Sequence, residues 1–134
     1  MPFSTFLANE LIDHVLKATT YTAPANVWIG LHTASPTDAG GVGEVSGNAY
    51  VRIKIGTGGV TDFSAGAAKT TNNDGAISFP VATPGNWGVI THVSISDAVT
   101  AGNLLFHGPL DASKTINAGD QAQFNAGDLD VTFA

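Results

Sequence analysis

Between Asn26 and Ile55 two runs of side chains alternate in character, Val27–Thr33 and Ala49–Ile55. In the first, Val27, Ile29 and Leu31 share one face and Trp28, Gly30 and His32 the other. In the second, Val51, Ile53 and Ile55 oppose Tyr50, Arg52 and Lys54. A period of two marks strands with one buried and one wetted face. The connection across residues 34–48 is rich in Gly, Ser, Pro and acid and carries no apolar period. It reads as a long surface arm that contacts a partner.

Upstream, residues 4–18 have the spacing of a helix. Leu7, Leu11 and Val15, with Ile12 and Leu16, recur every three or four positions, and Ser4 or Thr5 serves as N-cap. Such a stripe packs over the end of a sheet or docks on a neighbouring subunit. Thr19, Thr20 and Pro24 end it. Downstream, residues 56–73 read as loop anchored by Phe63, and Ala76–Phe79 as a short strand stopped by Pro80. Pro84-Gly85-Asn86 is a turn delivering Trp87 to the next strand. Gly88–Ser96 and Leu104–Leu110 alternate around the turn Thr100–Asn103, the strongest hairpin signal in the chain. The tail repeats Asn117-Ala118-Gly119-Asp120 as Asn125-Ala126-Gly127-Asp128, which marks two turns between strands, and a last strand runs from Leu129 to Ala134. The pattern predicts about seven or eight strands and one N-terminal α-helix in a single domain over residues 1–134. That is an all-β sandwich or jelly roll, not an open sheet.

Composition narrows the function. Much of the hydrophobic content of these 134 residues is Ala, so the core must come from a short set of large residues. Phe3, Leu7, Leu11, Trp28, Phe63, Ile77, Phe79, Trp87, Phe106, Phe124 and Phe133 lead that set. The net charge of −6 opposes binding to DNA phosphates or anionic lipid, so neither nucleic acid nor membrane is an expected partner. The absence of cysteine removes disulfides, thiolate metal sites and Cys nucleophiles. No run approaches a membrane span, and no basic-then-apolar leader opens the chain, so use without export is expected.

Candidate chemistry is thin. The hairpin register that sets Val93 against Phe106 also sets His92 across from His107, within reach of one metal, yet no third ligand lies nearby in sequence. A hydrogen-bonding or interface role is the stronger reading. Asp120, Asp128 and Asp130 lack calcium-loop spacing and read as turn and edge-strand acids. Gly56-Thr57-Gly58-Gly59 lacks the Lys and helix of a phosphate loop. No G-x-S-x-G or H-E-x-x-H motif occurs. No enzyme activity, cofactor or metal is expected.

Several segments together resemble a family of small tailed-bacteriophage virion proteins, tail-fibre-like or head-decorating (cement). They are Asn9–His14, Tyr21–Pro24, Gly30–Pro36, Gly47–Arg52, Ser78–Pro80, Asn86–Gly88, Thr91-His92, Gly102–Leu105 and Ala126–Leu129, in that order across nearly the whole chain. Trp28 stands where the family has Tyr or Val. The resemblance implies a structural virion protein assembled in the bacterial cytoplasm. The first expectation is a cement homotrimer on the head exterior, bound to the major capsid protein. A tail or tail-tip protein bound to tail proteins is the alternative. From another class, Trp28, Tyr50 and Trp87 would form a sugar-stacking platform if exposed together. The expected protein contacts are His32, Ser35, Pro36, Asp38, Glu44 and Asn48 on or beside the arm, with Tyr50, Arg52 and Lys54 after it.

Overall fold

The computed structural model describes residues 1–133, and the expected strand end at Ala134 lies outside them. Helix α1 spans Thr5–Leu16, with Ser4 as the N-cap whose side chain accepts from the Leu7 N–H at 3.1 Å. Ala18 adopts φ 53°, and the Thr19 N–H bonds back to the Asp13 carbonyl, closing the last turn in the usual left-handed way. Burial of α1 is deepest in its first turn, and His14 Nδ1 near its end accepts from the Tyr21 N–H at 3.2 Å. Leu7 is buried, whereas Ile12, Val15 and Leu16 are 54, 72 and 78% exposed. The C-terminal half of the apolar stripe is therefore left largely uncovered by the described residues.

Eight strands follow: β1 Asn26–His32, β2 Ile53–Gly56, β3 Thr70–Asn72, β4 Ile77–Val81, β5 Gly88–Ser96, β6 Leu104–Ile116, β7 Gln121–Phe124 and β8 Asp130–Thr132. They form a four-stranded antiparallel sheet in the order β2-β1-β5-β6, and two pairs, β3-β8 and β4-β7. The architecture is all-β and sandwich-like. Ile29, Leu31, Ile55, Ile90, Val93 and Ile95 from the large sheet meet Ile77, Phe79 and Val131 from the pairs, with Leu129 just before β8, in one buried cluster. Alternation places most of these residues on one side, and in β5 the irregular pairing between Ile90 and His92 separates Ile90 from the alternating Val93 and Ile95.

Several local expectations shift. Loop residues 70–72 pair as β3, and Phe63 bridges Asn73. β4 continues through Pro80 because it is paired on one side only, at an irregular step where the Gln121 amide donates to the Phe79 carbonyl at 2.8 Å. β5 and β6 do face each other, but Ile95, not Val93, lies opposite Phe106. His107 therefore opposes Ser94, and His92 opposes Pro109 on one side and His32 on the other. The proposed His92–His107 pair is not formed. The repeated tail turns are near copies: the Asn117 and Asn125 N–H groups each donate at 2.9 Å to the Asp three positions on. Gly119 and Gly127 take φ 91° and 82°, the left-handed step these turns need.

Candidate functional site

The strand expected over Ala49–Ile55 begins only at Ile53. Asn48 and Ala49 have φ of 52° and 66°, which breaks the extended backbone just before Tyr50. The faces change with it: Val51 is 43% exposed, while the Tyr50 ring turns inward against Phe79 and Trp87. β1 consequently has a divided edge. Asn26–Ile29 pair with β2, whereas Leu31–Thr33 pair with the returning arm through Val45 N–H to Leu31 carbonyl and Thr33 N–H to Gly43 carbonyl. Between these stretches the Leu31 N–H has no strand partner, and the Tyr50 hydroxyl accepts it at 2.9 Å.

The arm is thus folded onto the sheet. The face expected to be wet, with Gly30 and His32, is buried beneath it. Glu44 accepts from the Tyr50 hydroxyl at 2.9 Å and from Arg52 through both carboxylate oxygens at 2.7 Å. Arg52 also donates to the carbonyls of Ala98 and Ala101, tying the arm to the β5–β6 turn. A two-point guanidinium–carboxylate pair is strong because its geometry is planar and fixed. His32 bridges the Val42 carbonyl at 2.9 Å and the Ser94 hydroxyl at 2.8 Å. A carbonyl only accepts, so Nδ1 carries the proton and Nε2 accepts from Ser94. His107 lies 2.7 Å from Asp38 and fixes the arm's far end, where the Asp38 carbonyl also accepts from Thr5 N–H at the start of α1.

Protonation follows from this packing. Burial lowers the His32 pKa, more than the Val42 carbonyl raises it. Burial alone would raise that of Glu44, but its bonds to Arg52 and Tyr50 and the guanidinium charge leave it lowered. Burial, with the Glu44 charge, raises Tyr50. Hydrogen bonding to Glu44 raises Arg52 against the opposing effect of burial. Both His32 and Glu44 therefore bind protons more readily in the unfolded chain, and acid destabilises the fold through each. The His32 contribution is present above its unfolded pKa, about 6.5, and is lost as pH falls toward its lower folded value. That of Glu44 is lost only below about 4.3. His32→Asn should flatten the fall in Tm between about pH 7 and pH 5. Superimposable Tm–pH profiles for the two proteins would sink this assignment.

Gly30 is the close-approach point of the network. An added Cβ would lie 2.7 Å from the Ser94 hydroxyl, 3.1 Å from Glu44 Oε1 and 3.2 Å from the Tyr50 hydroxyl. Gly30→Ala should cost about 2 kcal/mol, because it forces apart polar groups that have no alternative partners. Chemical denaturation checks this, and an unchanged midpoint would show that the network yields freely.

The nine expected contact residues divide. His32 and Pro36 are buried, and Tyr50 and Arg52 each bond Glu44. Asn48 holds the turn before β5: its carbonyl accepts from the Trp87 indole at 2.9 Å, and its amide donates to the Asn86 carbonyl. Ser35 and Asp38 are exposed on the arm, and half-buried Lys54 makes no ion pair among the described residues. A free Arg52 beside Lys54 does not exist, since Arg52 is matched by Glu44. Nor does the sugar platform: Trp87 is 6% exposed and meets Tyr50 edge-on in the core. Sequence reasoning missed Ser94 and Gly30, and the clue available was a polar stripe along strands whose other face is apolar.

A cleft of about 310 Å³ borders the network, lined by His32, Glu44, Arg52 and Ser94 among others. Ser94 is 1% exposed, and His32 Nδ1 meets a carbonyl where a nucleophile's base would be oriented by an acid. The arrangement clamps the arm and holds the buried Ser94 hydroxyl on His32. Among the described residues no three His, Asp or Glu side chains converge as metal ligands.

The site is thus a polar network that clamps a surface arm onto an all-β body. Residues 2–132 match the family model described as podophage GP4 fiber I protein gp80, and the chain belongs to that family. It is accordingly a phage structural protein, tail-fibre-like in class. Among curated proteins, none matches the chain.

Proposed function

We propose that the chain is a non-catalytic building block of the virion, seated on other virion proteins within a tail-fibre assembly of the kind the family description names. The family match over residues 2–132 carries this reading. The clamped arm supports it, because a rigid surface loses little entropy when it docks. Self-association as a homotrimer is part of the proposal. The exposed Ile12, Val15 and Leu16 side chains provide an apolar strip on α1 suited to copies packed about a shared axis.

Head decoration, with the major capsid protein as partner, is the second reading. The body favours it: 7088 Å² of accessible surface is close to that of a compact protein of this mass, without the excess an extended shaft would carry. Labelling this chain in intact virions and imaging them discriminates the two. Label on the tail supports the first reading, and label spread over the head with earlier heat rupture of particles lacking the protein supports the second. Purified virions without the chain would sink both. Light scattering on the eluted protein tests the trimer, and a monomer at micromolar concentration would remove it.

A further inference from the structure

We infer that a groove along the open edge of β7 receives an extended segment of another virion protein, with apolar side chains at alternate positions and a Lys or Arg beside them. The groove encloses about 620 Å³, and its floor reaches Leu31, Ile90, Val93 and Leu129 of the core. All four residues of β7 line it, Gln121 and Gln123 as well as Ala122 and Phe124. Successive strand residues point to opposite faces, so a groove that touches all four runs along the strand's edge. β4 is the one strand partner of β7, and no residue of β4 lines the groove. The bordering edge is therefore the one whose backbone groups pair with no strand among the described residues.

The opposite wall is β6, where the ladder to β5 breaks. His92 faces Pro109 and Ile90 faces Lys114, so Thr91 alone opposes Leu110–Ser113. This bulge carries the middle of β6 out of register with β5 and makes it the groove's outer lip. An edge protected by a bulge on one wall and open on the other admits a strand on the β7 side only. An incoming strand that completes β7 gains main-chain hydrogen bonds and places every second side chain over the apolar floor.

Charge selects among such segments. The rim presents Asp111, Asp128 and Asp130 against Lys114 alone. Asp128 is engaged by the Asn125 N–H in its turn, while Asp111 and Asp130 are exposed and form no ion pair among the described residues. Two free carboxylates beside a strand-binding edge fit a cationic residue on the incoming chain and repel an acidic one. A second copy of this chain, at net charge −6, is the poorer occupant.

This inference rests on the chain being a virion component, and the experiment separates the two claims. A photo-crosslinking phenylalanine is placed at exposed Gln123, and as a control at exposed Thr57, and mass spectrometry first establishes whether each protein is in purified virions. Absence there counts against the virion reading itself. With the protein present, Gln123 should cross-link to a basic, alternating segment of another virion protein, and Thr57 should not. Asp111→Lys with Asp130→Lys should reduce that product about tenfold or more, at unchanged incorporation and Tm. Cross-links confined to the same chain, to a second copy, or insensitive to charge reversal would overturn the inference.

Discussion

Arg52→Ala should lower stability by about 3 kcal/mol, the cost of leaving the Glu44 carboxylate half-buried without its guanidinium. In a 134-residue chain that corresponds to a fall in Tm of about 10 °C. Three further bonds vanish with the side chain, those to Glu44 Oε2 and to the carbonyls of Ala98 and Ala101. Two signatures distinguish this from general loss of packing. Adding Glu44→Gln to Arg52→Ala should recover part of the stability, because no unpaired charge then remains. The gap between Arg52→Ala and the parent should also narrow as pH falls. In the parent the lowered Glu44 pKa favours the fold at higher pH; without Arg52, burial raises that pKa and favours the fold at lower pH. A double variant less stable than Arg52→Ala, with a pH-independent gap, would show that the pair contributes packing alone.

Phe79→Ala should be more damaging, by about 4 kcal/mol and about 15 °C in Tm. Phe79 is 1% exposed and packs against Tyr50, stacked at 6.3 Å, and Trp87, edge-on at 6.4 Å. Its ring belongs to β4, so it couples the smaller layer to the tyrosine that reaches the polar network. Loss of the ring leaves a cavity and also frees Tyr50, whose hydroxyl is the acceptor for Leu31. The native-state exchange rate of the Leu31 amide should therefore rise with Phe79→Ala by more than the global change accounts for. A rise equal to the global one would mean the aromatic trio and the network are independent.

The strands that read most clearly, β1 and β5, lie where their alternation placed them to within a residue, although in β5 Ile90 is buried and Val89 exposed, against the alternation. Their signal is local, since a two-residue period needs only one apolar layer beneath it. The tail turns were equally legible, because Asn and Asp bond to backbone within a few positions and Gly accepts positive φ. Reading failed at Tyr50. Its place in the alternation put it on the wet face, yet the left-handed pair Asn48–Ala49 turned it into the core. Nothing within the local pattern marks that reversal. The helix shows a milder failure: its apolar stripe is real, but whether Val15 and Leu16 are covered depends on what stands beside them.

The hairpin register illustrates the same limit. Apolar alternation requires Val93 and Ile95 to share a face with Phe106, and they do, but alternation cannot choose which of them lies opposite Phe106. A slip of two residues preserves every face and changes every partner, so His92 and His107 end apart. By itself, then, the order of residues determined the class of fold, the tail turns and the position of most strands, because these depend on neighbours within a few positions. Which polar groups meet was decided only in three dimensions. His32 and Ser94 stand 62 positions apart, and Asp38 and His107 stand 69 apart, brought together by strand order and an arm that closes over the sheet.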